Sequence, residues 1–389
     1  MDSDIVIVGG GPAGLSLAAS LSGNGLAITI VERLSSDQLA DPPFDGREIA
    51  LTHRSAHILD ELSVWNGFSA EEVAPLREAQ VLNGPSPFVL AFEPPGHIEG
   101  LLGWLVPNQC IRRELYKAAA ACPDVRILAG TAVVAVRPGP KRVEITLGDG
   151  RALRPRLVVA ADSRLSSVRD MLGIGARMHR TGRSMLVCRM EHEQEHRRVA
   201  TEWFDHHQTL ALLPLNGRIS SAVVTLPSKE VERLAGLDAQ AFDAEVSRRF
   251  AFRLGRMRLV STRHVYPLTV TWSRRFVAER AALIGDAAVG MHPVTAHGFN
   301  LGLLGQHGLA RELLRAVGRG VDPGRGSVLA RYELLHRLAC RPIYDATNAI
   351  VGLYTREGVA SRLARAALLR SAHRLPLVRR GVGALLAHR

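Results

Sequence analysis

Short apolar runs separated by helical patterns mark this chain, and they predict strands buried in a parallel sheet. Residues 4–8 (DIVIV) and Ile28–Val31 are almost continuously apolar, as expected of strands covered on both faces. Residues 15–21 between them follow a helical pattern, and the runs 157–161 and 281–285 resemble the first two. The pattern therefore predicts an α/β fold with a Rossmann-like cofactor domain that is discontinuous in sequence.

Alternating apolar and polar positions in the middle of the chain predict a second, separate sheet. Residues 79–105 look extended, and 181–268 have the pattern of strands joined by hairpins, with one helix near 238–250. The predicted domains are a discontinuous cofactor-binding domain (1–78, 106–180 and 269–345), a substrate-binding sheet domain (79–105 and 181–268) and a C-terminal basic helical region (346–389).

Shorter patterns predict the remaining elements. Residues 52–65 and 108–121 have helical periodicity, whereas 125–147 alternates like a β-meander with a turn at 138–141. Residues 35–46 are polar and rich in proline, which predicts a loop.

Glycines mark the junction between the first strand and the first helix. Gly9, Gly11 and Gly14 form G-x-G-x-x-G, which permits a tight turn, close approach of a pyrophosphate and close packing of helix on strand. Glu32 ends the second strand, where its carboxylate can accept hydrogen bonds from a ribose diol. The motif alone is weak, but between two strands and followed by this acid it predicts a bound dinucleotide.

A second stretch, LIGDAAVGMHPVTAHGFNLG at 283–302, narrows the choice of cofactor. Gly285 and Asp286 turn the chain after an apolar run, and a helix is predicted to begin near Asn300. This layout places a carboxylate near a cofactor hydroxyl and directs the N–H groups of a helix N-terminus at a group that gains negative charge. A reduced flavin, anionic at N1, meets both conditions, and a plain NAD dehydrogenase would not need the second stretch.

The charge of the chain is concentrated at its carboxyl end. The 389 residues carry a net charge of +12, and residues 361–389 contain seven arginines and no acid, interleaved with apolar residues. Two interpretations stay open: a basic amphipathic helix on an anionic membrane surface, or a helix packed on the protein with its arginines in water. We expect no nucleic-acid partner, because the basic arms and motifs of such proteins are absent from the sequence.

The sequence predicts a cytoplasmic protein, and the membrane interpretation of its basic end adds peripheral contact at the inner face of the cytoplasmic membrane. No run of 18 apolar residues is present, and the amino terminus lacks the basic segment of a signal peptide. The four cysteines, which lack C-x-x-C spacing, are predicted to be free thiols (110, 122, 188 and 340). His192–His196 spells H-E-x-x-H, but its charged setting between strand-like segments favours a turn, so no metal is predicted.

Five motifs together resemble one enzyme family over nearly the whole chain. They are G-x-G-x-x-G with Glu32–Arg33, D-G-R-E-I-A-L at 45–51, V-P-N-Q at 106–109, L-V-V-A-A-D at 157–162, and G-D-A-A…H-P…H-G-F-N-L-G at 285–302. The set resembles the single-component (class A) FAD-dependent aromatic hydroxylases. G-F-N-L-G and D-G-R-x-x-A-L are typical of the ubiquinone-biosynthesis hydroxylases, and M-H-P-V-T-A-H-G-F-N looks like their UbiM-type demethoxyubiquinol hydroxylases.

The resemblance implies a fold and a role for each matched residue. The fold would be that of para-hydroxybenzoate hydroxylase: a GR2-type FAD-binding domain, an inserted substrate sheet and C-terminal helices. Gly9, Gly11 and Gly14 would contact the pyrophosphate, Glu32 the adenosine ribose, and the Val133 backbone the adenine, with Arg33 as a further cofactor-binding residue. The other implied cofactor contacts, to the diphosphate, ribityl chain and isoalloxazine, are Arg47, Gln109, Asp162, Asp286, Pro293, Gly298, Phe299 and Asn300.

The same resemblance implies the reaction. NAD(P)H would reduce FAD, O₂ would add at the flavin C4a, and the resulting hydroperoxide would hydroxylate the ring of a polyprenyl phenol or quinol, with a ubiquinone-biosynthesis complex as a further partner. No catalytic triad is expected, because the flavin carries the chemistry. His292 and His297 flank the flavin loop, and each is a candidate for proton transfer or for satisfying a loop backbone group.

Two departures from the family pattern leave alternatives open. Asp162–Ser163 replaces the usual Asp-Gly in a segment associated with FAD and the reducing nicotinamide, and Leu304–Gly305 replaces an arginine-aspartate pair, which would remove a helix-surface contact. The alternatives are a flavin hydroxylase of another phenol, such as a secondary metabolite, and a non-catalytic FAD-binding subunit of a biosynthetic assembly.

Overall fold

A computed structural model describes residues 3–84, 86, 89–92, 100–205 and 207–355. In chain order its strands are β1 (Ile5–Val8), β2 (Ile28–Val31), β3 (Glu48–Leu51), β4 (Ala74–Leu76), β5 (Glu78–Asn83), β6 (Val89–Phe92), β7 (Gly103–Pro107), β8 (Val125–Leu128), β9 (Val133–Pro138), β10 (Val143–Leu147), β11 (Ala152–Leu153), β12 (Leu157–Ala160), β13 (Ala176–His192), β14 (Val199–Asp205), β15 (Gln208–Pro214), β16 (Ile219–Pro227), β17 (Met257–Leu259), β18 (His264–Ser273), β19 (Val277–Ala278), β20 (Ala281–Leu283) and β21 (Val289–Gly290). Its α-helices are α1 (Pro12–Leu21), α2 (Ser36–Ala40), α3 (His53–Glu61), α4 (Asn108–Ala120), α5 (Ser167–Met171), α6 (Ser228–Ala235), α7 (Ala239–Arg249), α8 (Gly298–Val317) and α9 (Gly326–Thr355).

The predicted parallel sheet forms the centre of the fold. Its strand order is β19-β20-β12-β1-β2-β8, and all neighbours are parallel except β19 and β20. Every residue of β1, β2 and β12 is buried, which accounts for their nearly continuous apolar sequences. The register aligns Val8 with Ala160 and Ala160 with Leu283, so the carboxyl ends of three strands lie side by side.

One strand of this sheet was assigned to the wrong partner by the sequence pattern. Residues 125–147 were predicted to form a meander, but β8 pairs in parallel with β2 at the edge of the central sheet. Only β9, β10 and β11 form the small antiparallel sheet, with the predicted turn between β9 and β10. The four residues of β8, VRIL, carry no information about pairing direction, so their pattern fits either arrangement.

A second, larger sheet occupies the middle of the chain. Its order is β21-β18-β13-β16-β15-β14-β5-β6, with β17 beside β13. One face packs against α6 and α7 in a cluster that includes Cys188, Val224, Leu234 and Phe242.

A single helix was predicted in this part of the chain; α7 matches it, and the eight-residue α6 was missed. Strand β7, from the stretch expected to be extended, lies outside this sheet and pairs with β3 and β4. The proposed domain boundaries stay a prediction.

Two helix ends and one loop depart from the sequence prediction. Helix α3 ends at Glu61 rather than near residue 65, and Ser63 directly beyond it has a left-handed φ of 58°. The loop at 35–46 contains the short helix α2, whose Ser35 and Gln38 form a capping box. Helix α8 begins at Gly298, two residues before the predicted start.

The predictions about cysteines and membrane-spanning segments can be compared with the described residues. All four cysteines are free thiols, as predicted. Within residues 3–355, apart from their undescribed gaps, no helix combines the length and apolar character needed to cross a bilayer. The basic segment 361–389 lies outside the described residues.

Candidate functional site

Gly9 and Gly14 hold the first strand–helix turn in a close-packed form. Gly9 has a φ of 116°, and a side chain there would overlap the carbonyl oxygen of Ala161 at the end of β12. A side chain on Gly14 would overlap the carbonyl oxygen of Gly9 itself. The first and third glycines of the motif are therefore required by the protein's own packing.

The two sequence stretches predicted to share a cofactor meet in the structure. Gly285 follows β20, and a Cβ added there would lie 3.0 Å from the Cβ of Ala13 in α1. A Cβ on Gly302 of α8 would lie 3.4 Å from the Cα of Gly285. The N-terminal turns of α1 and α8 thus converge on the Gly285–Asp286 turn, at the carboxyl edge of the central sheet, where ligands of such folds bind.

Both helix N-termini leave room for a ligand. Added Cβ atoms on Gly11, the N-cap of α1, and on Gly298, the first residue of α8, would contact no protein atom within 4 Å in the described structure. Neither helix has a side-chain cap there among the described residues. The N–H groups in the first turn of such a helix have no capping side chain and lie beside open space, so they form an anion-binding site.

Glu32 is fixed beside the first of these N-termini. Its two carboxylate oxygens accept hydrogen bonds from Gly10 N at 2.6 Å and Leu34 N at 2.9 Å. The backbone oxygen of Glu32 accepts from Thr131 N at 2.8 Å, which brings the start of β9 at Val133 into the same region. Arg33 is exposed, and the structure gives it no role in holding Glu32.

Arg47 lies in a polar network that the sequence did not reveal. Its guanidinium binds the Asp45 carboxylate at 2.6 Å, and that carboxylate also accepts from Asn108 Nδ2 at 2.7 Å. The Tyr266 hydroxyl donates to the Asp45 backbone oxygen at 2.6 Å, and its ring lies under the guanidinium. Burial alone would lower the pKa of Arg47, but the Asp45 carboxylate raises it, so the side chain is a fixed cation.

Gln109 is half-buried in the first turn of α4, directly after Asn108.

Asp286 has an ionic partner that the sequence did not indicate. Arg164 donates to one Asp286 carboxylate oxygen from Nη2 at 2.7 Å and from Nε at 3.1 Å. Both side chains are about one-third exposed, and Arg164 also binds the Thr269 backbone oxygen at 3.0 Å. Arg164 therefore ties the turn after β20 to the segment after β12 and to the large sheet.

Asp162 lies at the end of β12 with one carboxylate oxygen engaged. That oxygen accepts from Val168 N at 3.3 Å and from the Ser167 hydroxyl at 3.4 Å. The other oxygen, Oδ1, is buried and has no hydrogen-bond partner within the described part of the chain. Ser163, which replaces the family's glycine, is exposed and accepts from Leu165 N at 3.1 Å.

The loop before α8 is organised by the buried side chain of His292. His292 Nδ1 accepts from Val294 N at 3.3 Å and caps a short 3-10 turn that starts at the exposed Pro293. Burial, reinforced by Arg183 and Arg164, lowers the pKa of His292 to about 4. The imidazole is therefore neutral at neutral pH, with its proton on Nε2. This observation favours the loop-shaping interpretation of His292 over proton transfer.

Asn300 connects α8 to β3. Its side-chain oxygen accepts from Thr52 N at 3.2 Å, and its nitrogen donates to the backbone oxygens of Ala50 at 2.8 Å and Ala296 at 3.1 Å. These bonds orient the first turn of α8. His297, the buried N-cap residue, and the half-buried Phe299 lie in the same turn.

The large sheet presents polar groups on the face opposite α6 and α7. Trp203 packs into the helix-side cluster, so its strand neighbour Glu202 points to the other face. Burial raises the pKa of Glu202 well above its usual value. On the same face Arg189 binds the fully buried Glu48 carboxylate of β3 at 2.7 Å, and its lateral neighbour Ser221 has a buried hydroxyl without a partner in the described residues.

The H-E-x-x-H segment is a turn, as predicted, although one of its histidines is buried. His192 ends β13, where its ring nitrogens contact the Gln194 backbone oxygen at 2.7 Å and the Ser220 hydroxyl at 3.0 Å. His196 Nε2 lies 2.8 Å from the Leu215 backbone oxygen. Among the described residues no group of histidine, cysteine and acidic side chains is arranged to hold a metal ion.

Comparison with known proteins bears on this site directly. A model of the FAD binding domain family matches residues 2–334. Ubiquinone hydroxylase UbiM of Neisseria meningitidis is 43% identical over 380 residues, which is 97% of this chain and 82% of the relative. Ubiquinone hydroxylase UbiL of Rhodospirillum rubrum is 36% identical over 93% of this chain and 84% of that protein. The crystal structure of p-nitrophenol 4-monooxygenase PnpA of Pseudomonas putida shares the fold, with a TM-score of 0.78 and 19% identity over 100% of this chain and 99% of that one.

Proposed function

Since the chain belongs to the FAD binding domain family and to the ubiquinone hydroxylases within it, we propose that it hydroxylates the aromatic ring of a polyprenylated phenol or quinol in ubiquinone biosynthesis. FAD is the cofactor, NAD(P)H is the proposed electron donor and O₂ the co-substrate. The observation that carries the proposal is the convergence of α1, α8 and the Gly285–Asp286 turn at one edge of the central sheet.

The residues at this edge fit FAD. The open space at Gly11 and Gly298 admits a ligand at both uncapped helix N-termini, and the partnerless Oδ1 of Asp162 offers a buried acceptor among the described residues. In the proposed arrangement the pyrophosphate lies on the α1 N-terminus and the ribose diol on the fixed Glu32 carboxylate. The Val133 backbone lies beside the adenine, and Arg47 and Gln109 contact the diphosphate and ribityl region.

The protein's own contribution to the reaction is binding, orientation and exclusion of water. When bound, FAD supplies the oxygen-transfer chemistry. The N-terminal turn of α8, with Pro293 and residues 298–300, would line the flavin ring, and its N–H groups would stabilise negative charge there. Asp286 would hold the ribityl hydroxyls while its other oxygen stays on Arg164.

We place the substrate ring against the sheet face that carries Glu202, Arg189 and Ser221. This face is opposite the helices α6 and α7, and the Arg189–Glu48 ion pair links it to β3, close to the Arg47 network. The ring's hydroxyl groups would find polar partners in an otherwise apolar setting, which is typical of small-molecule sites. His292, neutral and capping its loop, would shape the site, and His297 stays a candidate for proton transfer.

We also propose where the protein works. A polyprenylated substrate resides in a membrane, so the site must receive it at a bilayer surface, and the arginine-rich segment 361–389 provides charge for contact with anionic lipids. The proposed location is the cytoplasm, at the inner face of the cytoplasmic membrane, with a ubiquinone-biosynthesis complex as a further partner.

Complementation tests the proposed reaction. The gene would be expressed in bacteria that lack their own ring hydroxylase, and quinone intermediates would be followed by lipid mass spectrometry. We expect the accumulated intermediate to disappear with the wild-type chain and to persist with Asp286→Ala. If the same intermediates accumulate with and without the wild-type protein, the quinone assignment is wrong and another phenol becomes the better substrate.

A further inference from the structure

A cavity lined with arginines lies at the junction of α8 and α9, away from the proposed flavin site. It has a volume of about 570 Å³, and its charged lining is Arg315, Arg319, Arg325, Arg331 and Glu312. We call it the arginine cavity. Four guanidinium groups around one carboxylate leave a net positive charge, and α9 begins at its wall, so its N-terminal N–H groups add to that potential.

One buried acid organises this cavity. Glu312 is only 5% exposed; it accepts a hydrogen bond from Arg315 Nη1 at 2.9 Å and forms an ion pair with Arg331 Nε at 3.1 Å, so it fixes two guanidinium groups. Arg319 and Arg325 have no carboxylate partner within the described part of the chain. The cavity therefore presents two fixed and two unneutralised guanidinium groups, which suits phosphate because guanidinium binds its oxygens in pairs.

An exposed apolar face of α9 continues directly from the arginine cavity. Leu334, Leu335 and Leu338, which we call the leucine face, are 59%, 41% and 64% exposed. They follow Arg331 at positions i+3, i+4 and i+7, so all four side chains lie on one side of the helix. The opposite side, with Tyr332, His336 and Cys340, is buried, so the packing of α9 is complete without the leucines.

We infer that this corner of the molecule docks on an anionic lipid bilayer, with a lipid phosphate in the arginine cavity and the leucine face in the interface. Apolar side chains beside arginines bind such surfaces by combining buried apolar area with attraction to anionic headgroups. The proposed function supplies a reason for this contact, because a lipid-borne substrate must enter from a membrane. The inference concerns a surface distinct from the flavin site and is tested separately.

Vesicle flotation with the full chain tests the inference. Vesicles of phosphatidylcholine, with and without phosphatidylglycerol, would be compared for the wild type, for Arg315→Gln/Arg319→Gln/Arg325→Gln and for Leu334→Gln/Leu338→Gln. We expect binding that needs phosphatidylglycerol, a loss of about 100-fold for the arginine variant and of about tenfold for the leucine variant. Free inorganic phosphate, added as a competitor, should displace the protein only weakly, because it cannot replace the apolar contact.

Matched variants control for total charge and total apolar surface. Arg151→Gln/Arg154→Gln/Arg258→Gln removes three arginines that are each more than half exposed elsewhere, and Val134→Gln/Phe252→Gln removes two exposed apolar side chains. Both controls should bind vesicles like the wild type. Equal losses in test and control variants would show unspecific attraction and overturn the inference, and so would full binding by both test variants.

Two further measurements distinguish bilayer docking from self-association and from a loss of enzyme activity. Light scattering of the leucine variant should show the wild-type mass; a change from dimer to monomer would instead assign the leucine face to a second copy of the chain. Hydroxylation of a soluble short-tailed quinol should be unchanged in both test variants. If the wild type does not hydroxylate the soluble quinol, the proposed function is wrong. If the variants lose only vesicle binding, the proposed function still holds.

Discussion

Gly11 and Gly14 stand three residues apart in one motif, yet the structure gives them different tasks. Gly14 leaves no space for a side chain against Gly9, whereas Gly11 faces open space. The fold therefore requires glycine at position 14, whereas the ligand requires it at position 11. The sequence motif predicted both residues, but only the folded structure separates the two causes.

The paired substitutions Gly11→Ala and Gly14→Ala test this separation. Gly14→Ala should lower the free energy of unfolding of the flavin-free protein by about 3 kcal/mol, because the added methyl group overlaps backbone. Gly11→Ala should leave that stability unchanged and weaken FAD binding, because its methyl group enters the pyrophosphate space. Urea denaturation and FAD titration measure the two effects. Full FAD affinity in Gly11→Ala would contradict the proposed pyrophosphate position.

Asp286 provides a second prediction for the cofactor site. Asp286→Ala should give colourless but folded protein, because the side chain is 36% exposed and its loss removes only the Arg164 ion pair from the fold. Visible absorbance and thermal denaturation of the purified variant would be compared with Asp286→Asn, which keeps the side-chain shape. A fully flavin-loaded Asp286→Ala protein would show that the ribityl assignment is misplaced.

Glu202 predicts a pH dependence of stability. Burial raises the pKa of its carboxyl in the folded protein above the ordinary value of 4.5, so above that value the folded state binds more protons than the unfolded state. Stability should therefore fall as the pH rises from about 4.5 towards the folded pKa. Glu202→Gln removes this loss, so it should gain stability relative to the wild type at pH 8 but not at pH 5, measured by urea denaturation.

A surface control sharpens the same test. Glu195 is exposed, and Glu195→Gln should follow the wild type at both pH values. If Glu202→Gln and the wild type lose stability in parallel as the pH rises, Glu202 is ionised in the folded protein and does not face a dry site.

At the level of elements, α8 does the most to assemble the site. Its first turn is tied to β3 through Asn300, its Gly302 approaches the Gly285 turn, and its middle packs against α9 at Gly305. The sequence comparison treated Leu304–Gly305 as the loss of a surface contact. In the structure Gly305 instead lets the buried His336 ring of α9 approach the helix backbone, because a Cβ would lie 2.6 Å from that ring.

Gly305→Ala and Gly308→Ala form a matched pair on this helix. Gly305→Ala should lower the free energy of unfolding by about 2 kcal/mol, because it overpacks the contact with His336. At Gly308 an added Cβ contacts nothing within 4 Å in the described structure, so alanine there should raise stability by up to about 1 kcal/mol. Thermal denaturation of both variants measures the difference, and equal effects would rule out the close α8–α9 contact.

Elements with a strong local signal were predictable, and those defined by their partners were not. The buried strands β1, β2, β12 and β20 were visible as apolar runs because parallel strands are covered on both faces. The pairing of β8 with β2 depends on a contact nearly a hundred residues away, which a local pattern does not encode. Helices α2 and α6 span five and eight residues, which is shorter than the window over which a helical period is assessed.

The same division holds for the site residues. The glycines and Glu32 were predictable because they belong to a recognisable nucleotide-binding motif. Arg164 belongs to none of the quoted motifs, and Asp45 stands in the 45–51 motif without an assigned role. The Arg164–Asp286 pair spans 122 residues and is formed only in the fold, whereas Asp45 pairs with Arg47 two residues away and is tied to Asn108 only in the fold. The roles of the matched residues toward FAD stay predictions until flavin binding is measured.

On the scale of the whole molecule, two sheets are linked by ion pairs, and the proposed active site lies between them. The central sheet has two helix N-termini at its carboxyl edge, and in the proposed arrangement the large sheet contributes the face that carries Glu202 and Arg189. The Arg189–Glu48 and Arg164–Asp286 pairs connect these parts. A hydroxylase needs this separation of tasks, because the cofactor must be held rigidly while a lipid substrate enters and leaves.

Isotopic labelling tests the central claim most directly. The purified, flavin-loaded protein would be incubated with NAD(P)H, a short-tailed demethoxyquinol and O₂ enriched in heavy oxygen, and the product analysed by mass spectrometry. The account predicts one heavy oxygen atom in the new ring hydroxyl of the product, and no such product with Asp286→Ala. A yellow protein that consumes NAD(P)H without labelling the ring, or does not consume it at all, would contradict the assignment as a ring hydroxylase.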